Sequence, residues 1–207
     1  MLTDSGKLRV AVLVSGGGTN LQAILDARGS LIRHAEIVLV VSNNPAAFAL
    51  QRAQRAGIPT VVLTRRELGS RAAFEESLQR VLEDCGVGLI VLAGFMTILS
   101  EDFTRRWDHR ILNVHPSLIP AFCGKGFYGL RVHEAALARG VKLTGATVHF
   151  VNEIPDGGEI LLQKAVEVLP EDTPETLQRR VMEQAEWKLL PQAIEMIASS
   201  AEKEVQD

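Results

Sequence analysis

The fold is decided by one stretch near the start of the chain, Leu8-Arg9-Val10-Ala11-Val12-Leu13-Val14-Ser15-Gly16-Gly17-Gly18-Thr19-Asn20. Residues 8–14 are apolar and rich in β-branched side chains, which predicts a buried strand. Residues 19–28 predict a helix with Leu21, Ile24 and Leu25 on one face. A buried strand that passes through glycines into a helix is typical of a parallel sheet covered by helices.

The same alternation of apolar runs and amphipathic segments continues along the chain. Further strands are predicted at 36–41, 60–63, 87–92 and 111–115, and helices at 45–56, with Pro45 in the first turn, and 71–84. Strands 143–151 and 159–168, joined by Pro155-Asp156-Gly157-Gly158, predict an antiparallel hairpin, and 176–199 a final helix. The sequence therefore predicts an α/β, Rossmann-like three-layer fold whose mostly parallel sheet has about seven strands. We expect one domain over 1–207, with flexible tails at 1–7 and 200–207.

Composition narrows the class of protein. The chain of 207 residues is 46% hydrophobic and 23% charged, with a formal net charge of −3, which argues against a nucleic-acid-binding surface. Its two cysteines, Cys85 and Cys123, form neither a disulfide framework nor a zinc pattern. No segment has the length of a membrane span or the form of a secretory signal. We expect a cytoplasmic protein, monomeric or homodimeric, that binds no metal, nucleic acid or membrane.

The glycine-rich loop before the first helix is a candidate phosphate site. Glycines let the backbone approach a ligand, and the helix N-terminus adds unpaired N–H groups. The dinucleotide fingerprint is incomplete because Leu21 stands where its third glycine belongs. The second strand also ends in Ser42-Asn43-Asn44, without the acidic residue that holds a ribose of NAD. A monophosphate fits better, and a tight turn without ligand is the alternative.

Asn113 and His115 are the candidate catalytic pair. Residues i and i+2 of a strand point to the same side, so the amide and the imidazole should face one space. A carboxylate such as Asp156 could orient the imidazole and favour its charged form, although an Asp in a turn is commonly structural. His149 is interpreted as a structural histidine. The remaining histidines, His34, His109 and His133, are interpreted as surface residues.

Two further segments are candidates for the neighbourhood of the site. Phe95, Met96, Ile98 and Leu99 follow a central strand and could line a flat pocket for a heteroaromatic ring, with plain core packing as the alternative. Residues 120–130 are predicted to form a mobile, aromatic-bearing loop near the site, or else an ordinary surface loop.

Five segments together resemble a known family. They are Val14-Ser15-Gly16-Gly17-Gly18-Thr19-Asn20-Leu21-Gln22-Ala23-Ile24, Leu92-Ala93-Gly94-Phe95-Met96, Leu112-Asn113-Val114-His115-Pro116-Ser117-Leu118, Val148-His149-Phe150-Val151 and Asp156-Gly157-Gly158. They are similar to those of the folate-dependent formyltransferases, specifically the phosphoribosylglycinamide formyltransferase family of purine synthesis. The likeness runs from about residue 8 to residue 197.

The resemblance implies a role for each matching position. Asn113, His115 and Asp156 would be catalytic. The ribonucleotide substrate would contact Gly17, Gly18, Thr19, Asn20 and Glu186. The folate would contact Arg71, Met96, Thr97, Ile98, Leu99, Asn113, Asn152, Glu153, Ile154, Pro155 and Asp156. The sequence departs from the family at Thr97, where relatives often have a basic residue, and in residues 123–130, a loop longer than in some relatives.

The implied reaction moves a formyl group from 10-formyltetrahydrofolate, a co-substrate, to the amine of 5-phosphoribosylglycinamide through a tetrahedral intermediate. Three alternatives stay open at this point. A formyltetrahydrofolate hydrolase usually has an added N-terminal domain, and a methionyl-tRNA formyltransferase an added C-terminal domain and a basic surface; neither is expected here. The third is a nucleotide-binding module without catalysis.

Overall fold

Seven strands form one sheet in the order β3-β2-β1-β4-β5-β6-β7. The structure is a computed structural model that describes residues 2–3 and 6–206, the last five by their backbone alone. The strands are β1 (Leu8–Val14), β2 (Ala35–Ser42), β3 (Thr60–Val62), β4 (Leu89–Leu92), β5 (Ile111–His115), β6 (Leu143–Phe150) and β7 (Ile160–Glu167). Neighbours from β3 to β5 run parallel, whereas β6 and β7 are antiparallel. The predicted fold is confirmed.

Helices cover both faces of the sheet. They are α1 (Thr19–Asp26), α2 (Phe48–Arg55), α3 (Arg65–Leu68), α4 (Arg71–Asp84), α5 (Glu101–Arg106), α6 (Leu130–Arg139), α7 (Pro174–Val181), a π-helix (Met182–Glu186) and α8 (Trp187–Gln206). In β1, Val10, Val12 and Val14 enter the core shared with α1, α2 and α6 to α8. Ala11 and Leu13 enter the core shared with α4 and α5. The two cores confirm the three layers.

Three helical predictions need correction. Helix α2 begins at Phe48 and not at Pro45. The N–H groups of Ala46 and Ala47 donate to the side chain and the carbonyl of Asn44, which places Pro45 in a turn before the helix. The final helical region begins at Pro174 and is divided by the π-helix. Helices α3, α5 and α6 lie in segments for which the sequence predicted neither a helix nor a strand.

The order of the strands creates a switch point between β1 and β4. From β1 the chain builds outward through β2 to β3, and then crosses back to place β4 on the other side of β1. Ligands bind at such points, beside the carboxyl ends of the strands. The glycine loop follows β1, residues 94–98 follow β4, and His115 ends β5, so the candidate segments meet there.

The ends of the chain are only partly described. Residues 1, 4, 5 and 207 lie outside the described residues, and α8 extends to Gln206. The single domain and its flexible tails stay predictions. Within the described part of the chain, no helix has both the length and the apolar character needed to cross a membrane.

Candidate active site

A cavity of about 620 Å³ opens at the switch point of the sheet. This volume lies within the range of small-molecule sites. Its lining residues come from segments far apart in the chain. They are Asn20, residues 94–98, residues 113–116, residues 124–129, His133, residues 155–156, and Gln178, Met182 and Glu186. Asn113, His115 and Asp156 therefore share one cavity.

The Asn113 amide is oriented by a neighbouring histidine. Its Nδ2 donates to His149 Nε2 at 3.2 Å, across the antiparallel pair of β5 and β6. His149 Nδ1 donates to the carbonyl of Phe150 at 2.8 Å, which leaves Nε2 as an acceptor. An Asn side chain has two N–H groups, so one bond to His149 leaves the second available for a ligand. His149 is structural in its contacts, and it sets the direction of the Asn113 donor.

His115 is buried and held from both ring nitrogens. Nε2 donates to the Phe122 carbonyl at 2.8 Å, because a carbonyl can only accept. Nδ1 lies 3.5 Å from Asp156 Oδ2, an ion-pair distance that exceeds a normal hydrogen bond. This contact is attractive when Nδ1 carries a proton.

Asp156 is the carboxylate of the site. Its φ of 57° places a non-glycine residue in the left-handed region, which is uncommon and which Asp tolerates better than most residues. Oδ2 accepts from the Gly124 N–H at 2.8 Å, and Oδ1 lies 3.6 Å from His149 Nε2. The pKa of Asp156 is lowered on balance: burial raises this pKa, whereas the charge of His115 and the hydrogen bond from the Gly124 N–H lower it. Asp156 is therefore ionised at neutral pH.

The loop after β5 connects these two groups. Its residues 122 and 124 supply the carbonyl on His115 and the N–H on Asp156, and residues 124–129 line the cavity. The predicted placement of this loop near the site agrees with these contacts, whereas its mobility stays a prediction. Cys123, between the two anchors, donates its thiol to the Pro120 carbonyl at 3.3 Å.

A second polar cluster closes the other end of the cavity. Asn20 Nδ2 donates to Glu186 Oε2 at 2.8 Å, and both residues are buried. Burial raises the pKa of Glu186 to about 7, because the Asn20 hydrogen bond offsets only part of the desolvation. The Asn20 Oδ1 atom has no partner among the described residues. This end of the cavity therefore offers a carboxyl and an unused amide oxygen to a polar ligand.

The glycine loop immediately precedes Asn20 in the chain, but Gly17, Gly18 and Thr19 are not among the residues that line the cavity, so their contacts with a phosphate stay predictions. Gly18 is the N-cap of α1 with φ 73°, and Gly16, Gly17 and Thr19 are exposed. Their backbone N–H groups precede the first turn of the helix, where an anion is favoured.

The predicted folate contacts are divided between the cavity and its surroundings. Those in the cavity wall are Met96, Thr97, Ile98, Asn113, Pro155 and Asp156. Met96 and Ile98 are 56% and 62% exposed, so they form an apolar lip that a flat ring could cover. The others lie outside the wall: Arg71 pairs with Glu75 at 3.1 Å, Leu99 is buried in the core, and Asn152, Glu153 and Ile154 form the adjoining turn. Their folate contacts stay predictions.

The interpretation of His133 as a surface residue is wrong. It is fully buried on the inner face of α6 and belongs to the cavity wall. Burial lowers the pKa of His133 to about 4, with a smaller effect of His115, so the ring is neutral. Neither ring nitrogen has a hydrogen-bond partner among the described residues. The missed helix α6 explains the error, since a helix places this residue against the sheet.

No three His, Cys, Asp or Glu side chains of the described residues come together as metal ligands would. Fold and site together define an α/β protein that binds small molecules at a switch point, with an imidazole, an amide and a carboxylate at its centre.

The family follows from comparison with known proteins. Residues 8–194 match the model described as formyl transferase. The chain is 42% identical to the phosphoribosylglycinamide formyltransferase of Haemophilus influenzae, over 90% of this chain and 85% of that protein. It therefore belongs to the formyl transferase family.

Solved structures and longer relatives agree with this membership. A glycinamide ribonucleotide transformylase from Symbiobacterium toebii matches with a TM-score of 0.88 and 41% identity, covering 95% of this chain and 90% of that one. The chain is also 48% identical to the trifunctional purine biosynthetic protein adenosine-3 of Gallus gallus, over 96% of its own length. It spans only 19% of that relative.

Proposed function

We propose that the protein transfers a formyl group from 10-formyltetrahydrofolate to the amine of 5-phosphoribosylglycinamide, in purine synthesis. One observation carries the proposal: Asn113, His115 and Asp156 line a single cavity at the switch point. The names of the relatives support formyl transfer and the glycinamide ribonucleotide as its acceptor. We propose a cytoplasmic enzyme, monomeric or homodimeric, without a metal.

The two substrates would enter the cavity from opposite ends. The phosphate would meet the N–H groups of Gly17, Gly18, Thr19 and Asn20, and Glu186 would accept hydrogen bonds from the ribose hydroxyls. The flat ring of the folate would lie on the apolar lip of Met96 and Ile98, which is exposed without a ligand. The reacting amine and the formyl carbon would then meet beside His115.

The chemistry needs donors for an oxygen that becomes negatively charged. The amine nitrogen attacks the formyl carbon, a new C–N bond forms, and the carbonyl oxygen becomes an oxyanion. The free N–H of Asn113 would donate to this oxygen, and so would the Nε2–H of a protonated His115, once the substrate oxygen takes the place of the Phe122 carbonyl. One such donor is worth roughly 3 kcal/mol of transition-state stabilisation.

The proton of the amine must reach the leaving nitrogen of the folate. When the intermediate collapses, the bond between the formyl carbon and N10 breaks, and N10 takes up a proton. Asp156, ionised at neutral pH, would accept the amine proton and pass it to N10 as the carbon–nitrogen bond of the donor breaks. General acid–base transfer of this kind contributes about 10²–10⁴-fold in rate.

Two variants test these roles. We expect His115→Ala and Asp156→Asn each to lower kcat by at least about 10²-fold in a steady-state transfer assay, while folate binding is retained. His109→Ala is the matched control, because His109 is an exposed histidine outside the cavity wall. Near-wild-type turnover of both variants, with normal folate binding, would refute the assignment.

A further inference from the structure

Three successive carbonyl oxygens of the glycine loop, those of residues 15–17, are held by one segment, which runs from the end of β2 into α2. The bonds are Asn44 Nδ2 to Ser15 O at 3.1 Å, Ala49 N to Gly16 O at 3.1 Å and Arg52 Nε to Gly17 O at 2.9 Å. The loop is therefore anchored entirely through its acceptors.

This anchoring fixes where the N–H groups point. In a trans peptide, the N–H of the next residue points opposite to the carbonyl. The N–H groups of Gly16, Gly17 and Gly18 therefore point away from α2, and none has an acceptor among the described residues. Successive N–H groups on one side of a loop form an anion-binding concavity, here called the nest.

Of the three groups that donate to the loop carbonyls, the Arg52 guanidinium is the charged one. It also makes a second hydrogen bond. Its Nη1 donates to Gln22 Oε1 at 2.9 Å, so the guanidinium joins the loop to the first turn of α1. The Gln22 side chain is held in turn, because its Nε2 donates to Asp26 Oδ1 at 2.8 Å. The guanidinium also lies 5.0 Å from the centre of the Phe48 ring, which holds it in place.

We propose that Arg52 is a positioning residue for the substrate phosphate: it holds the Gly17–Gly18 peptide so that its N–H, and not its carbonyl, faces the anion. The assignment rests on the proposed function, which places the phosphate in the nest. Glycine residues have little barrier to a change of peptide orientation. Without Arg52 the peptide is free to turn its carbonyl toward the phosphate, where two negative groups would repel.

The shape of the side chain matters as well as its charge. An arginine offers several donors in a fixed fork, whereas a lysine offers one flexible ammonium. Lysine at this position would keep a positive charge behind the nest but could not hold Gly17 and Gln22 together. Arg52→Lys is therefore expected to lose most of the contribution that Arg52 makes to phosphate binding. This variant separates the positioning of the peptide from the effect of charge alone.

The matched control is Arg55, one turn further along α2. Its guanidinium lies 5.8 Å from the centre of the same Phe48 ring, and it lines the same surface depression as Arg52. It makes no bond to the glycine loop within the described part of the chain. Arg55→Met therefore removes the same charge and a similar ring contact without touching the nest.

Binding of ribose 5-phosphate by titration calorimetry tests the proposal without any turnover. We expect Arg52→Met to weaken binding at least about tenfold, Arg52→Lys by several-fold, and Arg55→Met by less than twofold. Equal losses in Arg52→Met and Arg55→Met, or no loss in Arg52→Met, would overturn it. So would a wild-type protein that does not bind ribose 5-phosphate.

A kinetic measurement separates positioning from general damage. In the transfer assay, Arg52→Met should raise KM for the ribonucleotide about tenfold or more and leave KM for the formyl donor within twofold. The riboside that lacks the phosphate should be used equally by variant and wild type. An equal loss with the riboside would show that Arg52 acts on the fold as a whole. If wild type transfers no formyl group but the calorimetric result holds, the proposed function fails and the role of Arg52 in phosphate binding stands.

Discussion

Glu186 lies in an environment unlike that of a carboxyl in water. It is buried, and within the described part of the chain its carboxyl accepts a single hydrogen bond, from Asn20. Its pKa of about 7 means that the ligand-free protein holds it largely neutral below pH 7. A ribose with two hydroxyls would supply the hydrogen bonds that an ionised carboxylate lacks here, so substrate should bind best when Glu186 is ionised.

The raised pKa makes a prediction about stability. The pKa of Glu186 is about 7 in the folded protein and 4.5 in the unfolded chain, so the protonated carboxyl is favoured by folding. Its contribution to the free energy of unfolding is complete below pH 4.5 and is lost as the pH rises through 7. Glu186→Gln has no such titration and keeps an acceptor for Asn20. Between pH 5 and pH 8, the ligand-free variant should gain roughly 2–3 kcal/mol in free energy of unfolding relative to wild type.

Urea unfolding of both proteins at the two pH values measures this gain. The direction of this pH dependence is specific to a buried, neutral carboxyl. A carboxylate stabilised by an ion pair would make wild type more stable, relative to the variant, as the pH rises. A constant difference between Glu186→Gln and wild type at both pH values would contradict the buried, neutral state of Glu186.

At the scale of the elements, the junction of β1 and α1 depends on one glycine. Gly18 has φ 73°, and a Cβ there would lie 2.6 Å from the Ala49 Cβ and 2.8 Å from its Cα. Neither atom belongs to a flexible side chain, so the loop or α2 must move. Gly18→Ala should lower the free energy of unfolding by about 2 kcal/mol and weaken ribose 5-phosphate binding.

Gly17→Ala is the control for this substitution. A Cβ at Gly17 meets no atom within 4 Å, and its φ is not in the left-handed region. Chemical unfolding should therefore show a change below about 0.5 kcal/mol. Comparable losses in the two variants would contradict the close approach of the loop to α2.

The elements also show what local sequence can predict. Strands β1 and β5 and helix α4 have the predicted bounds, and the Ser70 side chain caps α4 at its predicted start. The final helix is different, since its N-cap Thr173 forms a capping box with Thr176 rather than with a Glu or Gln. The π-helix that follows is a matter of packing, which periodicity does not record.

At the scale of the whole molecule, the site is made by the fold. The residues of its two polar clusters are far apart in sequence, 166 positions in the case of Asn20 and Glu186. Residue types and strand periodicity predicted that Asn113 and His115 face one space, and Asp156 was proposed as their carboxylate without a local pattern to place it near them. The role of His149 behind Asn113 and the burial of His133 depend on tertiary packing, and the sequence analysis missed both.

The net charge of −3 makes the local donors decisive for an anionic substrate. The molecule as a whole does not attract a phosphate, so the nest and the N-terminus of α1 must supply the attraction. We therefore expect the ribonucleotide to bind at the switch point, where these donors lie.

Formyl transfer itself is tested by following both the formyl donor and the formylated product. The protein is incubated with 10-formyltetrahydrofolate, with and without 5-phosphoribosylglycinamide, and loss of the formyl donor is followed together with formation of the formylated ribonucleotide. We expect the formyl donor to be lost only when the acceptor is present, and the amount lost to equal the amount of formylated ribonucleotide formed. Loss without the acceptor would indicate a hydrolase, and no loss in either case would indicate a binding module; either result would contradict formyl transfer.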